Sequence, residues 1–364
     1  MTGRWFDYFL TNRFADFWAE RMNEAGARVC VITGIGFDPR CRAVLDQLLA
    51  VSGPGQVAVL GLRFKTALDL IEPVKVLNHY AEANLKAITD TGCEQLGFGD
   101  VQLQDENRFS AGGPSALRFV SKYIEGLAQF RHVVVDISGM PRSVFYPLIS
   151  YLCSRADKGA IHNLHVTVSE SVELDAKIIL SEFGSADYIH TFRLTDKKKL
   201  VWLPIIGGRE RDRILKIHNQ IKDDCLEICP ILPFPASPLR KPDEVLIENS
   251  EVLFQELAIT DSNILLCDET NPFDIYRKIV ALHDYYSEKL STLVGGVATV
   301  VSPLSSKLLS LGALFAAIER KLPVSYVEAG LYTLEPGAME VFQAAHISPI
   351  EIWLAGEPYN GVHP

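Results

Sequence analysis

The chain has 364 residues, 48% of them hydrophobic and 22% charged, enough apolar material for one large core or two ordinary ones. That composition excludes a disordered chain, a collagen-like one and a disulfide scaffold. The 45 acidic against 35 basic side chains give a formal charge of −10, which opposes nonspecific binding to nucleic-acid backbones.

The first apolar pattern spans residues 5–24, where Phe6, Leu10, Phe14 and Phe17 recur at i, i+4, i+8 and i+11 and predict an amphipathic helix. It is dense in aromatics (Trp5, Phe6, Tyr8, Phe9, Phe14, Phe17, Trp18). Its polar face is not enriched in Lys or Arg, so docking onto the following domain is the simplest use of the apolar face, with a partner protein or a membrane surface as the alternative. From residue 28 the period changes. Residues 29–33 are a short apolar, β-rich run that suits a buried parallel strand. Asp38 and Pro39 read as the N-cap and first-turn proline of a helix continued by Val44, Leu45, Leu48 and Leu49. A strand at 57–64 and helical patterns at 68–88 and 115–130 follow. Residues 132–136, His-Val-Val-Val-Asp, are the strongest strand pattern in the chain, followed by the loop 137–142, a helix at 144–155 and a strand at 164–168.

The second half repeats that order. Residues 200–206 read as a strand leading into Gly207-Gly208 and a helix through Ile221. A strand at 226–232, a Pro-rich loop at 233–242 and helices at 251–259 and 275–290 come next. Residues 297–301 read as the central strand, ending in the loop 302–307, with a helix at 308–320 and a strand at 323–327 closing the unit. Strands alternating with helices predict an α/β fold of two tandem Rossmann-like, doubly wound units with mostly parallel sheets, preceded by the amphipathic helix. The expected division is 1–27 for the helix, 28–195 for the first unit and 196–364 for the second, with 196–199 a solvated linker. In both halves the first strand meets a glycine turn, and the central strand meets a Ser-containing loop ending in one cation, Arg142 or Lys307. This reads as an internal duplication of element order, with two unrelated α/β domains as the alternative.

Seven cysteines, an odd number spread over the chain, several of them inside strand-like runs as at Cys30 and Cys267, read as free thiols of a reducing cytoplasm. The N-terminal segment lacks the apolar run of a signal peptide. The longest uncharged stretch, 290–306, is interrupted by Gly295-Gly296 and Pro303 and falls short of a membrane span, so no membrane association is expected.

In open α/β sheets ligands bind beyond the carboxyl ends of the strands, where helix N-termini favour an anion. The loop after the first strand offers Gly34, Gly36 and Arg40, but Pro39 stands where a dinucleotide fingerprint needs its third small residue, so the reading is an anion site, with a tight turn and solvated arginines as the alternative. The loop after 132–136 offers Asp136, Ser138, Gly139 and Arg142. Arg142 has the fork geometry for phosphate or carboxylate, and the alternative is an Asx turn with a helix cap. The corresponding loops of the second half add Gly208, Arg209, Ser306 and Lys307.

The order strand, Asp136-x-Ser-Gly-x-x-Arg142, helix resembles the Asp-x-Thr-Gly-Gly-x-Lys loop of CRISPR-associated Rossmann-fold (CARF) sensor domains, and the glycine loop at 33–40 falls where that family's other ligand loop falls. Met140-Pro141 and Arg142 stand in place of the family's second glycine and lysine. The resemblance implies that loops 33–40 and 136–142 contact a phosphate-rich, cyclic-oligonucleotide-like ligand. It further implies that two half-units of one chain do what two subunits do in the family, within bacterial anti-phage defence.

Other chemistries are less well supported. The chain has no Gly-x-x-x-x-Gly-Lys-Ser/Thr loop and no Gly-x-Ser-x-Gly elbow. Cys225-x-x-x-Cys229 and His162-x-x-His165 lack companion pairs, so no metal or cofactor is expected. Asp268, Glu269 and Asp274 read as a solvated loop, with a magnesium site as the alternative. Tyr326 and Tyr332 read as packed aromatics, with stacking on a base as the alternative. Three functions follow: a cytoplasmic sensor holding an anionic, nucleotide-like or phosphorylated small molecule between its halves; an enzyme on such a molecule, with Asp136 and Ser138 as candidate catalytic groups; or an assembly subunit, in a homo-oligomer or with a protein partner, docking through its aromatic N-terminal helix.

Overall fold

The computed structural model describes residues 3–66, 72–105, 110–196, 198–335, 337–344 and 347–359. In chain order they form β1 (Phe9–Thr11), α1 (Phe14–Met22), β2 (Val29–Ile35), α2 (Arg40–Val51), β3 (Val57–Lys65), α3 (Glu72–Thr89) and β4 (Glu94–Gln102). There follow α4 (Gly112–Val120), α5 (Ile124–Leu127), β5 (His132–Asp136), α6 (Arg142–Ala156), β6 (Asn163–Val168), α7 (Val172–Asp175) and β7 (Ile178–Tyr188). The rest comprises β8 (Lys199–Ile206), α8 (Arg211–Ile221), β9 (Cys225–Ile228), β10 (Ile231–Pro233), α9 (Lys241–Glu248), β11 (Leu265–Cys267) and α10 (Pro272–Val294). Last come β12 (Val297–Leu304), α11 (Lys307–Arg320), β13 (Ser325–Leu334), α12 (Ala338–Ala344) and β14 (Ile350–Ala355). The fold is α/β with mostly parallel sheets. No helix among the described residues is long and apolar enough to cross a membrane.

The chain divides into two compact units: Asp7–Glu182 with Ala329–Pro364, here the first unit, and Met1–Phe6 with Phe183–Glu328, the second. The chain crosses between the units after Phe6, inside β7 and inside β13, rather than at the charged run 196–199. The first unit holds the sheet β1-β14-β6-β5-β2-β3-β4. Its strands β2 to β6 are parallel, and β14 and β1 add on antiparallel. Every residue of β2, β5 and β6 is buried, which is what a parallel strand covered on both faces requires of its Val, Ile and Leu runs. The chain steps outward from β2 through β3 to β4, then returns through α4 and α5 to lay β5 on the other side of β2. The point where strand order reverses therefore lies between the ends of β2 and β5.

In the second unit the parallel order is β11-β10-β8-β12, with β9 also on β8 and Val324 bridging to Val301. Here too the chain steps outward from its first strand and returns to the other side, placing the reversal between β8 and β12.

Three differences from the sequence reading have physical causes. The helix expected over 5–24 is a turn, the strand β1 and the shorter α1, because β1 gains a ladder on β14, with Phe9 opposite Trp353. Its aromatics are divided accordingly: Trp5 is buried in the second unit against Tyr276 and Phe315, and Phe14, Phe17 and Trp18 are buried in the first. Each such side chain stabilises its unit by about 1.5–3 kcal/mol, so α1's aromatic face is a core surface. Second, residues 350–355, which the expected division places in the second unit without a strand, form β14, which returns to cover the β6 edge of the first sheet that otherwise would expose its hydrogen-bonding groups. Third, β4 escaped detection because Gly97 and Gly99 interrupt its pattern; a Cβ at either would collide with Tyr123 or Phe119, so the glycines make room for rings. The predicted helix at 68–88 appears as α3, and its residues 68–71 lie outside the described residues.

Candidate functional site

The strand-order reversal of the first unit brings together the loop after β2 and the loop after β5, the two that sequence singled out. Asp38 Oδ1 accepts the backbone N–H of Arg40 at 2.9 Å, ahead of α2. The Arg40 guanidinium is buried, pairing with Asp38 at 2.6 Å and Asp175 of α7 at 2.8 Å, and the two carboxylates hold it charged, overcoming the desolvation that opposes it. Asn84 of α3 donates to the carbonyls of Gly36 and Phe37 at 2.9 and 3.3 Å and so fixes the turn. Phe37 packs into a small apolar cluster with Leu174, Ala338 and Phe342, elements of the chain's own returning segments. A Cβ at Gly36 would meet open space, whereas one at Gly34 would press on Phe64 and Met140.

Across the reversal, Asp136 and Ser138 are both fully buried and bonded to each other: Asp136 Oδ1 accepts the Ser138 backbone N–H at 3.0 Å and its hydroxyl at 2.5 Å. Ser138 Oγ in turn accepts the N–H of Ser169 at 2.9 Å. This is the Asx-turn arrangement, and it holds the loop closed on itself. Gly139 lies against its neighbour, since a Cβ there would stand 2.6 Å from the Gly34 carbonyl oxygen. Its small size thus serves loop-on-loop packing. Arg142 is half-buried at the first position of α6, whose N-terminus opens toward the same crevice.

In the second unit, Gly207 packs on Ser305, with 2.8 Å between a Cβ built there and the Ser305 Cα, so the loops after β8 and β12 touch. The helices that follow these two loops are α8, from Arg211, and α11, from Lys307. Gly208 has open space where a side chain would be, and Arg209 is exposed and forms no ion pair with a described residue. Ser306 is the N-cap of α11, its Oγ accepting the N–H of Leu309 at 3.2 Å, and Lys307 follows half-buried in the first turn. Asn249, beyond α9, donates to the Gly208 carbonyl at 2.9 Å and accepts the Glu210 N–H at 3.0 Å. Asn84 and Asn249 therefore do the same work in the two units, and sequence gave no sign of either, each being one polar residue remote from the loop it holds.

A further group was not foreseen. Strand register aligns Thr33 with Asp136, Asp136 with Thr167 and Thr167 with Glu351, so these four buried side chains form one polar row across β2, β5, β6 and β14. The adjoining row carries His165. His162, three residues earlier, is exposed, and His165 meets His132, at 3.0 Å.

The acidic loop of the second unit is internally paired: Asp268 accepts from Thr270, Glu269 pairs with Lys241, and Asp274 pairs with Lys278 at 2.6 Å. All seven cysteines are free thiols. Among the described residues no group of three or more His, Cys, Asp or Glu side chains is placed to hold a metal ion. Tyr326 is buried, and Tyr332 stands 6.4 Å from the Phe37 ring.

Chemically, then, both reversals offer helix N-termini and an open glycine, Gly36 or Gly208, and the second adds an exposed rim cation, Arg209, an arrangement that holds an anion. No family model matches the chain, and no curated protein does. Among solved structures it is similar to a protein assigned to the universal stress proteins, from Pseudomonas aeruginosa UCBPP-PA14, at 9% identity, covering 87% of this chain and 97% of that one, with a TM-score of 0.23.

Proposed function

We propose that this chain is a cytoplasmic receptor for an anionic, nucleotide-like or phosphorylated small molecule, acting as a sensor in anti-phage defence. The observation that carries the reading is the strand-order reversal of the second unit, where the loops after β8 and β12 meet at Gly207 and Ser305, Gly208 is open and Arg209 is exposed. Backbone N–H groups and helix dipoles there favour negative charge, and Arg209 and Lys307 supply the cations that select phosphate. Binding without turnover is favoured over catalysis because Asp136 and Ser138, the candidate catalytic pair, are buried and occupied in holding their own loop. The seven free thiols, six of them buried, suit a reducing compartment.

Thermal unfolding of the full chain tests this with nucleoside phosphates, linear and cyclic oligonucleotides and sugar phosphates. A ligand at about 100 times its dissociation constant stabilises by about 2.7 kcal/mol and raises the melting temperature. The shift should vanish in Arg209→Ala and Lys307→Ala, and the ligand should be recovered unchanged. A shift that survives both variants, no shift with any anion, or conversion of the ligand would each overturn the proposal.

A further inference from the structure

Beside the polar row of the first unit runs a chain of buried groups that the crevice does not use. Trp18 Nε1–H donates to Glu351 Oε2 at 3.1 Å, Glu351 Oε1 lies 2.7 Å from His165 Nδ1, and His165 Nε2 lies 3.0 Å from His132 Nδ1. None of the four residues has any exposed surface. Phe17, Trp18 and Trp353 surround His165, with ring centroids 6.0, 5.1 and 4.7 Å away. His132 Nε2 is buried with no hydrogen-bond partner among the described residues. The chain links α1, β14, β6 and β5, so segments from near the two ends of the sequence are fastened to the middle of the sheet through it.

We propose that this chain of groups is an acid-sensitive latch: uncharged, it holds α1 and β14 against β6, and protonation of its imidazoles releases that layer. The uncharged form satisfies every link. Glu351 Oε1–H donates to His165 Nδ1, His165 Nε2–H donates to His132 Nδ1, and Glu351 Oε2 accepts from Trp18. One more proton makes an imidazolium in a site closed to water, which is costly without an anionic partner. The charges that reach the rings are Arg21 from α1, Arg131 ahead of β5 and Glu357 after β14. Arg131 is itself shared between Glu24 and Glu357, at 2.8 and 3.0 Å. Burial outweighs all of these, taking both histidines from 6.5 down to about 3 and pushing the Glu351 carboxyl well above its usual range.

The sign follows from counting protons. Once the layer opens, both imidazoles take up protons below pH 6.5, while Glu351 gives one up above pH 4.5. The net uptake is one proton, so between about pH 6 and 4.5 the open population grows about tenfold per pH unit. Above about pH 7 only the release from Glu351 remains, and opening grows again with rising pH.

Hydrogen–deuterium exchange on the full chain from pH 8 to 5, corrected for intrinsic exchange, reads this directly. Peptides covering 14–22 and 350–355 should be best protected between pH 6 and 7 and lose protection about tenfold per pH unit below that, with 200–206 as the unchanging reference. Glu351→Gln keeps both hydrogen bonds of the side chain without its acid, so it should abolish the alkaline loss and steepen the acid limb to about 100-fold per pH unit. A flat profile in the unaltered protein, or equal loss at 200–206, overturns the latch. Deuterium exchange at the histidine C2 positions needs no variant: neither His132 nor His165 should show a midpoint above pH 5, and one near 6.5 at either ring overturns it too.

Discussion

The two strand-order reversals share strand order, a glycine turn, an asparagine holding that turn and a helix N-terminus on each side, yet they treat their cations oppositely. Arg40 in the first unit is buried between Asp38 and Asp175, and its loop stands against an apolar cluster from α7 and α12. Arg209 in the second unit is exposed at the rim and forms no ion pair with a described residue. One topology therefore serves as scaffold in one place and as a candidate binding surface in the other, and the difference lies in which carboxylates the fold brings within reach of each arginine.

Substitutions at matched positions sharpen or break this contrast. The largest effect is expected from Arg40→Ala, which leaves Asp38 buried without its counter-ion and should destabilise the protein by about 3–5 kcal/mol in chemical denaturation. Equal stability of Arg40→Ala and Arg209→Ala would remove the distinction. Next, Gly139→Ala pushes a methyl into the Gly34 carbonyl and should lower stability by about 1–3 kcal/mol, while Gly208→Ala, facing open space, should stay within about 0.5 kcal/mol. Asp136→Asn weakens the acceptor for Ser138 and should cost about 1–3 kcal/mol, with phosphate-ligand binding in the second unit intact. A loss of binding there would show that the first unit's loop has more than a local role. Ser306→Ala removes the α11 cap, a loss of about 1 kcal/mol by thermal unfolding. Arg209→Ala, like Gly208→Ala, should change stability by no more than about 0.5 kcal/mol, and its effect should appear in ligand binding alone.

Much of the fold was legible because buried parallel strands need continuous apolar runs. Residues 29–33, 132–136 and 297–301 mark β2, β5 and β12, and the strand pattern alone puts the loops after them at the carboxyl edge. Strands that rest on tertiary partners were not legible. β1 is three residues long, β4 carries glycines that admit rings, and β14 lies beyond the last strand that the pattern predicts, at 323–327. At the site, sequence located Arg40, Asp136, Ser138 and Gly139 but not their use, since an arginine beside a glycine loop reads the same whether its partner is a phosphate or Asp175. Asn84, Asn249, Glu351 and the meeting of His132 with His165 left no local pattern at all, because each contact joins residues far apart in the chain.

The sequence by itself determined the class of fold, the buried parallel strands β2, β5 and β12 with the helices that follow them, and which loops lie at their carboxyl ends, because hydrophobic periodicity and turn chemistry act over neighbouring residues. Only the tertiary structure decided that the C-terminal strand returns to the first sheet, that Trp5 and Trp18 enter different cores, and that one arginine is neutralised while its counterpart is exposed. Those outcomes depend on long-range pairing: the satisfaction of a sheet edge, the burial of rings and the neutralisation of charge are set by whatever the fold brings near, whichever residues happen to be adjacent in sequence.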